Sequence, residues 1–251
     1  MRVFVTGAAA GLMQGVAVAL ARDGNDVAFT YRTGGTPPER TVELVRDAGS
    51  EAIAYGIDFL ADEATVEQSL ERIVNERGGF DALVHGVGPM TIARFERSCL
   101  RDYHAMIDGN LRSAVQAAFA VLPGMRERGF GRLIFFGING SQTTQPARGL
   151  SLHVAAKAGV VAFARTLALE EGRYGITVNV VEPGDIRDKT LSRAVARERS
   201  AANPRGRPGT YEDVADAVRF LMAPENDFIN GAVINVTGGL IDAHERNAIS
   251  P

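Results

Sequence analysis

The sequence predicts an α/β fold, in which one doubly wound parallel sheet is covered by helices on both faces. Short apolar runs alternate along the whole chain with helical patterns of ten or more residues, which is typical of parallel sheets. The runs are apolar on both sides, as strands buried between two layers of helices require. A glycine-rich turn directly follows the first run. We therefore expect a single domain that spans residues 1–251.

Seven apolar runs are predicted to be strands, because they are short and rich in β-branched residues. They cover residues 2–6, 26–31, 51–57, 81–86, 132–137, 176–181 and 232–236. Helical periodicity fills the segments between them. It covers residues 12–22, 38–48, 62–76, 100–128, 153–172 and 211–222. We expect breaks in the long helical region near Gly109 and Gly124, and a mobile connection at 185–209.

The composition indicates an ordinary globular protein and excludes several function classes. The net charge is −3 and no basic block occurs, so we expect neither nucleic acid nor a membrane as a partner. No apolar stretch suggests a membrane span. The single cysteine, Cys99, fits a reducing cytoplasm. The four histidines show no metal-ligand spacing, and we expect His104 on a helix face and His244 in the C-terminal tail.

The turn after the first predicted strand, VTGAAAGLMQG, has the setting of a dinucleotide-binding loop. Glycine lets the backbone approach a pyrophosphate, and the N-terminus of the next helix offers free N–H groups. The second predicted strand ends in TYRTGG, without the carboxylate that usually binds the ribose of NAD. Arg32 and Thr33 could instead hold a 2′-phosphate, although a solvated loop arginine is the alternative. We therefore expect NADP(H) to be preferred over NAD(H).

Residues 150–159, LSLHVAAKAG, place His153 four positions before Lys157, so the two side chains share one helix face. One interpretation is a helix face that happens to carry a histidine, and the other is an acid–base pair. A free imidazole has a pKa of about 6.5, and a neighbouring ammonium disfavours its cation. We therefore expect His153 to be mostly neutral at neutral pH.

Several segments resemble the short-chain dehydrogenase/reductase family, and they occur in the family's order. They are TGAAAG (6–11), IDFLAD (57–62), LVHGVG (83–88), GN (109–110), the stretch 155–186 with its lysine and PG-x-I motif, and INGAVINVTGG (229–239). The resemblance implies a Rossmann-type sheet of seven strands, a small-molecule substrate and a homotetramer or homodimer. It also implies that the segment at 185–209 is a substrate lid.

The same resemblance implies a set of residues that contact the cofactor. The set is Gly7, Gly11, Met13, Tyr31, Arg32, Thr33, Asp58, Phe59, Gly86, Gly88, Lys157, Pro183, Gly184 and Ile186. Asp58 would contact the adenine, and Lys157 would hold the hydroxyls of the nicotinamide ribose. The glycines of LVHGVG would pass beneath the cofactor, and the PG-x-I residues would line the nicotinamide.

The predicted catalytic centre departs from the family pattern. The family's proton donor is a tyrosine four residues before the lysine, where this chain has His153. Ile138 stands at the place of the family's serine in a loop that is longer than usual, so Ser141 could take that role, with Asn139 as a substitute hydrogen-bond donor. Met13 replaces the third glycine of the loop, and His85 is expected to pack beside the cofactor. Asn110 and Lys157 match the family's catalytic residues.

Three functions are compatible with these residues. The first is an NADP(H)-dependent oxidoreductase that reduces a small-molecule C=O, C=N or conjugated C=C bond, with atypical proton delivery through Asn110, Ser141, His153 and Lys157. The second is a non-redox isomerase, dehydratase or cyclase that uses His153 as general base. The third is a non-catalytic NADP-binding protein. Arginines in 193–207 could recognise a phosphate or carboxylate on a substrate.

Overall fold

The computed structural model describes residues 1–184 and 186–240, and it places seven strands in one sheet. They are β1 (Arg2–Thr6), β2 (Asp26–Tyr31), β3 (Ala52–Gly56), β4 (Ala82–His85), β5 (Gly131–Phe136), β6 (Ile176–Pro183) and β7 (Val233–Val236). The order across the sheet is β3-β2-β1-β4-β5-β6-β7, and all pairs are parallel. The strand order reverses between β1 and β4, which is where open α/β sheets bind ligands.

Helices cover both faces of this sheet in the described residues. They are α1 (Gly11–Arg22), α2 (Glu39–Asp47), α3 (Glu63–Arg77), α4 (Leu100–Ile107), α5 (Ser113–Arg128), α6 (Ser151–Glu171), α7 (Arg193–Ala196) and α8 (Tyr211–Met222). Buried side chains of α3, α5 and α6 form one core cluster with the sheet. Buried side chains of α1 and α8 form a second cluster. The predicted doubly wound α/β fold is therefore confirmed.

The strands are mainly apolar because each contributes to both core clusters. In β1, Phe4 belongs to the cluster with α3, α5 and α6, whereas Val3 and Val5 belong to the cluster with α1 and α8. In β5, Leu133 belongs to the cluster with α3, α5 and α6, and Ile134 belongs to the cluster with α1 and α8. Successive residues of a strand point to opposite sides of a sheet, so a strand covered on both sides has apolar residues facing both helix layers.

The long helical region is broken at one of the two predicted places. A π-helical turn, Asp108–Arg112, joins α4 to α5 and contains Gly109, as expected. The second expected break, at Gly124, is wrong, because α5 continues to Arg128. A glycine inside a helix costs only about 1 kcal/mol, and the burial of the α5 inner face outweighs that cost.

Helix α6 and its last turn, Ser151–Tyr174, are long and apolar enough to cross a membrane by length and composition, a property not expected from the sequence. The inner face of this helix packs against β5 and β6. Ala156, Val160 and Ala164 on that face are 2% exposed or less. The helix is therefore apolar because it belongs to the core of the domain.

The segment predicted to be mobile is docked on α8 over residues 186–209, whereas Asp185 lies outside the described residues, as does His244. Arg193 contacts Asp213 at 3.2 Å and Asp216 at 2.5 Å, and Arg207 contacts Asp213 at 2.8 Å. Burial alone would raise the pKa of Asp213, but hydrogen bonds from Arg207 and the N-cap of α8 lower it to about 2. These ion pairs hold the segment in place.

Candidate active site

A cleft of about 300 Å³ lies at the carboxyl ends of β1, β2 and β4. Its walls include several of the residues predicted to bind the cofactor, namely Gly7, Tyr31, Arg32, Asp58, Phe59, Gly86 and Gly88. A larger cavity of about 690 Å³ lies between α3 and α5, but it contains none of the predicted site residues. The cleft at the strand ends is the better candidate, because it lies where the strand order of the sheet reverses.

The glycine turn at the base of the cleft fits a diphosphate. Gly7 and Gly11 have φ values of 73° and 67°, which lie in the left-handed region where a side chain would be strained. The N–H of Gly7 donates to the Thr30 hydroxyl at 3.0 Å, which fixes the turn against β2. Helix α1 begins at Gly11, so its unpaired N–H groups and partial positive charge lie at this turn.

The end of β2 offers an exposed cation to the same cleft. Arg32 directly follows the strand and has no ion pair among the described residues. Thr33 is also exposed, and its methyl group lies beside Gly56 at the end of β3. On the neighbouring loop, Asp58 accepts the N–H of Leu60 at 3.0 Å through one carboxylate oxygen. The guanidinium of Arg32 is therefore available to a ligand phosphate.

Met13 fills the space between α1 and the end of β4. Its side chain is 5% exposed and lies against Gly86 so closely that a Cβ atom at position 86 would overlap with it. The residue that replaces the third glycine of the family's loop therefore packs under the cleft, and Gly86 is needed because of that packing.

His85 is a buried structural residue with a partner on each ring nitrogen. Its Nδ1 lies 2.9 Å from the Thr6 hydroxyl, and its Nε2 lies 3.1 Å from the Ser113 hydroxyl. Because Ser113 donates its own proton to the Gly109 carbonyl, Nε2 of His85 is the ring donor. Burial, and then the charge of Lys157, lower the pKa of His85 to about 3. The expectation that His85 packs beside the cofactor site agrees with these contacts.

His153 and Lys157 lie buried on one face of α6, with 4% and 7% of their surfaces exposed. Lys157 Nζ donates to the Phe136 carbonyl at 2.8 Å, and burial lowers its pKa to about 8. Burial, and then the charge of Lys157, lower the pKa of His153 to about 4, and hydrogen bonding at the Pro89 backbone raises it only in part. His153 is therefore neutral at neutral pH, which confirms the sequence-based expectation.

Asn110 brings an unpaired oxygen to this pair. Its Nδ2 donates to the carbonyls of Pro89 at 3.0 Å and Met106 at 2.9 Å, whereas its buried Oδ1 has no hydrogen-bond partner among the described residues. A Cβ atom on Gly88 would lie 2.6 Å from that oxygen and 3.0 Å from Lys157 Nζ. Only a glycine at position 88 leaves both atoms free to meet a ligand, so these residues fit a dinucleotide that passes over Gly88.

The loop after β5 gives Ser141 a partner that the sequence did not reveal. Its hydroxyl donates to Glu182 Oε1 at 2.5 Å, and the same carboxylate accepts the N–H groups of Gly140 at 3.1 Å and Gln142 at 2.9 Å. Glu182 is fully buried in β6. Glu182 is the only charged residue in the run ITVNVVEP, and this was the signal that could have identified it.

Asn139, in the same loop, has the opposite character. Both Oδ1 and Nδ2 of its side chain are buried and have no hydrogen-bond partner among the described residues. A buried amide without a partner costs about 1–3 kcal/mol, unless a water molecule or a ligand satisfies it. The amide of Asn139 therefore still lacks a hydrogen-bond partner, whereas the hydroxyl of Ser141 is already committed to Glu182.

Pro183, Gly184 and Ile186, which are predicted to line the nicotinamide, lie at the end of β6 or within three residues of it. Pro183 is the last residue of the strand, and the Gly184 N–H donates to the Val236 carbonyl at 3.0 Å. Ile186 is partly buried against the core cluster of α1 and α8. No group of three or more His, Cys, Asp or Glu side chains that could hold a metal ion occurs within residues 1–184 and 186–240.

Comparisons with known proteins agree with this architecture. A family model described as enoyl-(acyl carrier protein) reductase matches residues 7–241. The chain is 32% identical over 243 residues to the 3-oxoacyl-[acyl-carrier-protein] reductase FabG of Escherichia coli, which covers 94% of this chain and 95% of FabG. It is 31% identical over 245 residues to the short-chain reductase protein NovJ of Streptomyces niveus, which covers 94% and 92%. The solved structure of a short-chain dehydrogenase/reductase from Serratia marcescens superposes with a TM-score of 0.82 at 29% identity, over 96% of this chain and 97% of that chain.

Proposed function

The chain belongs to the short-chain dehydrogenase/reductase family, and on that premise we propose that it is an NADP(H)-dependent reductase in which His153 and Lys157 deliver the proton. The observation that carries this proposal is the burial of both residues on one face of α6, beside the unpaired oxygen of Asn110. Its substrate would be a small molecule with a C=O, C=N or conjugated C=C bond.

The end of β2 supports a preference for NADP(H) over NAD(H). Arg32 is exposed, has no ion pair among the described residues and lines the cleft. Together with Thr33 it would bind the 2′-phosphate, because a guanidinium binds a phosphate through two parallel hydrogen bonds. Asp58 and Phe59 would lie against the adenine.

The bound nicotinamide would supply the hydride, and negative charge would then develop on the substrate atom that must be protonated. We assign two roles to the pair on α6. His153 is neutral and its ring N–H faces the Pro89 backbone, so it would have to turn this N–H to the substrate to donate a hydrogen bond, and it is a weak acid by itself. Lys157, with a pKa of about 8, is an ammonium near neutral pH and is the better matched source of the proton. Asn110 Oδ1 would hold a water molecule that connects Lys157 to solvent.

We assign the hydrogen-bonding role of the family's serine to Asn139. Its amide has no partner among the described residues, whereas the Ser141 hydroxyl is held by Glu182 at 2.5 Å. In this proposal, Ser141 acts as a positioning residue. It fixes the loop that carries Asn139, and it does not touch the substrate.

The weak acidity of a neutral imidazole favours particular substrates. An imine, an iminium ion or a conjugated alkene needs less help with protonation than a simple ketone, so we propose these classes first. A cavity of about 400 Å³ beside residues 186–202 is lined by Arg187 and Arg199, and an anionic group on the substrate could lie there. Arg193 and Arg207 are tied to acidic residues of α8 and are not assigned to substrate binding. We further propose a cytoplasmic homodimer or homotetramer.

One observation favours a second candidate function. His153 Nδ1 is buried and has no hydrogen-bond partner among the described residues, and a neutral imidazole is a suitable general base. An isomerase, dehydratase or cyclase would use this nitrogen, and it would convert its substrate without a net change in the nicotinamide. A non-catalytic NADP-binding protein would bind the dinucleotide but would neither oxidise NADPH nor convert a substrate.

The test is the loss of NADPH absorbance with a panel of ketones, imines and enones, combined with three variants. We expect His153→Phe to abolish turnover and His153→Tyr, which restores a phenol, to retain or increase it on ketones. His104→Phe changes an exposed histidine on α4 and serves as the matched control. Turnover by His153→Phe at the rate of the unmodified protein would contradict the proposal, and so would a folded protein that is silent across the whole panel. Product formation without NADPH consumption would favour the second candidate.

A further inference from the structure

Lys189 lies across the glycine turn at the base of the cleft. If Gly11 carried a Cβ atom, the Cδ atom of Lys189 would lie 3.2 Å from it and the Cβ atom of Lys189 would lie 3.8 Å from it. The aliphatic stem of the lysine therefore passes directly over the first residue of α1. Lys189 belongs to the segment that follows β6, so two parts of the chain that are 178 residues apart meet at this point.

The ammonium of Lys189 has no competing partner in the described residues. The side chain is exposed and forms no ion pair there. The neighbouring carboxylate of Asp188 is occupied, because it accepts the N–H and hydroxyl of Thr190 and lies 3.8 Å from Arg199. The positive charge at position 189 is therefore not neutralised by the acid next to it.

The sequence shows how unusual a lysine is in this chain. Of the 27 basic residues, only Lys157 and Lys189 are lysines, and the other 25 are arginines. Both lysines lie at the candidate cofactor site. Lysine presents a compact charge on a flexible stem, whereas arginine needs space for a planar group, so a lysine suits a narrow approach over a glycine turn.

We propose that Lys189 binds the diphosphate of the dinucleotide from the side opposite the glycine turn. This inference rests on the cofactor site of the proposed function. The N–H groups at the start of α1 would contact the diphosphate from below, and the ammonium of Lys189 would contact it from above. The contact would also link the docked segment 186–209 to the presence of the cofactor, because Lys189 belongs to that segment.

Lys189 and Arg32 would recognise different phosphate groups of the dinucleotide. The diphosphate occurs in both NADPH and NADH, whereas the 2′-phosphate occurs in NADPH alone. Removing the charge of Lys189 should therefore weaken the binding of both dinucleotides by the same factor. Removing the charge of Arg32 should weaken the binding of NADPH alone.

The decisive experiment measures the Kd of NADPH and NADH by the fluorescence of the dinucleotide, for the full chain and for Lys189→Gln. We expect Lys189→Gln to raise both Kd values by the same factor of about five to ten, as expected for a partly exposed charge-assisted hydrogen bond. Arg22→Gln removes an exposed charge at the end of α1 that lies away from the glycine turn, and we expect less than about a twofold change. Unchanged Kd values for Lys189→Gln, or a loss confined to NADPH, would overturn the proposal. Failure of the unmodified protein to bind either dinucleotide would overturn the proposed function itself.

The scarcity of lysines permits an independent measurement. Acetylation with an amine-reactive reagent, followed by mass spectrometry, can be read at Lys189 and at Lys157 separately. We expect NADPH and ADP-ribose, which both contain the diphosphate, to slow the acetylation of Lys189 severalfold, whereas AMP should not. Equal rates with and without a saturating dinucleotide would contradict a contact between Lys189 and the diphosphate.

Discussion

The two halves of the sheet that meet at the cleft present different kinds of groups to it. The half built on β1, β2 and β3 offers backbone N–H groups at the glycine turn and exposed side chains such as Arg32. The half built on β4, β5 and β6 offers buried polar side chains. Among the described residues, Asn110, Asn139 and His153 each keep at least one buried polar atom without a hydrogen-bond partner there.

The difference in burial suggests different roles for the two halves, with cofactor binding in one and chemistry in the other. Exposed groups recognise a ligand at little cost to the fold, whereas each buried unpaired atom costs about 1–3 kcal/mol until something satisfies it. Such a group in a native protein is explained by a water molecule, a ligand or a functional role. We therefore expect changes in the β1–β3 half to alter affinity alone, and changes in the β4–β6 half to alter turnover and stability together.

Apart from the loss of turnover expected for His153→Phe, the largest effect should come from Lys157→Met, which removes the ammonium and keeps a stem of similar length. We expect kcat/KM for the best substrate of the panel to fall about 10³-fold, or about 4 kcal/mol, because the proton source is lost. Steady-state NADPH oxidation measures this. Arg165→Met alters an exposed residue of the same helix and should leave the rate unchanged. A Lys157→Met enzyme within threefold of the unmodified rate would remove Lys157 from the chemistry.

Acid should destabilise the protein through its two buried histidines. The pKa of His85 is about 3 and that of His153 is about 4, both below the value of about 6.5 in an unfolded chain. As the pH falls below 6.5, the unfolded state takes up these protons first, so the free energy of unfolding falls. We expect a loss of roughly 3 kcal/mol by about pH 5.5, measured by urea titration.

His85→Asn is the control for this pH dependence, because it removes one of the two histidines. The slope of stability against pH should be about half as steep in that variant. If the free energy of unfolding were constant between about pH 7 and pH 5, neither histidine would be held neutral in the fold.

Glu182→Gln should loosen the loop that carries Asn139. The amide of glutamine cannot accept all three hydrogen bonds that the carboxylate receives, so one donor of the loop would be left unpaired. We expect about 2 kcal/mol lower stability by thermal unfolding, together with a lower kcat. Glu171→Gln alters a buried carboxylate at the C-terminal end of α6 that pairs with Arg126 of α5, and it should lower stability without lowering kcat. Equal effects of the two variants on kcat would show that Glu182 has no positioning role.

A smaller effect is expected on the binding side from Arg32→Gln. The Kd of NADPH should rise about twentyfold, or about 1.8 kcal/mol, because the 2′-phosphate loses a charged partner. The Kd of NADH and the melting temperature should not change. Fluorescence titration of both dinucleotides measures this, and an equal loss for NADH would place Arg32 at a group that the two cofactors share.

The smallest effect should be the alkaline limb of the pH profile. Lys157 has a pKa of about 8, so it carries its proton below that pH and loses it above. We expect kcat/KM for reduction to be flat from about pH 6 to pH 7.5 and to fall about tenfold per unit above about pH 8.5. A limb near pH 6.5 would instead indicate that His153 titrates in the working range.

The order of secondary structure elements could be predicted from the sequence almost completely, because it depends on local patterns. All seven predicted strands occur within a few residues of their expected positions. The expected break at Gly124 failed because the burial of α5 overrides a weak local preference. The membrane-like composition of α6 likewise has meaning only once its contacts with the sheet are known.

At the candidate site, the sequence by itself determined the juxtaposition of His153 and Lys157, because helical spacing fixes which residues share a face. It also determined the glycine turn, because a positive φ limits the residue type. The tertiary structure alone decided that Ser141 is held by Glu182, that Asn110 keeps an unpaired oxygen and that Lys189 lies over Gly11. The two contacts join residues that are distant in the chain, and the unpaired oxygen results from burial by distant residues. Electrostatic energies depend on such burial, which no local pattern specifies.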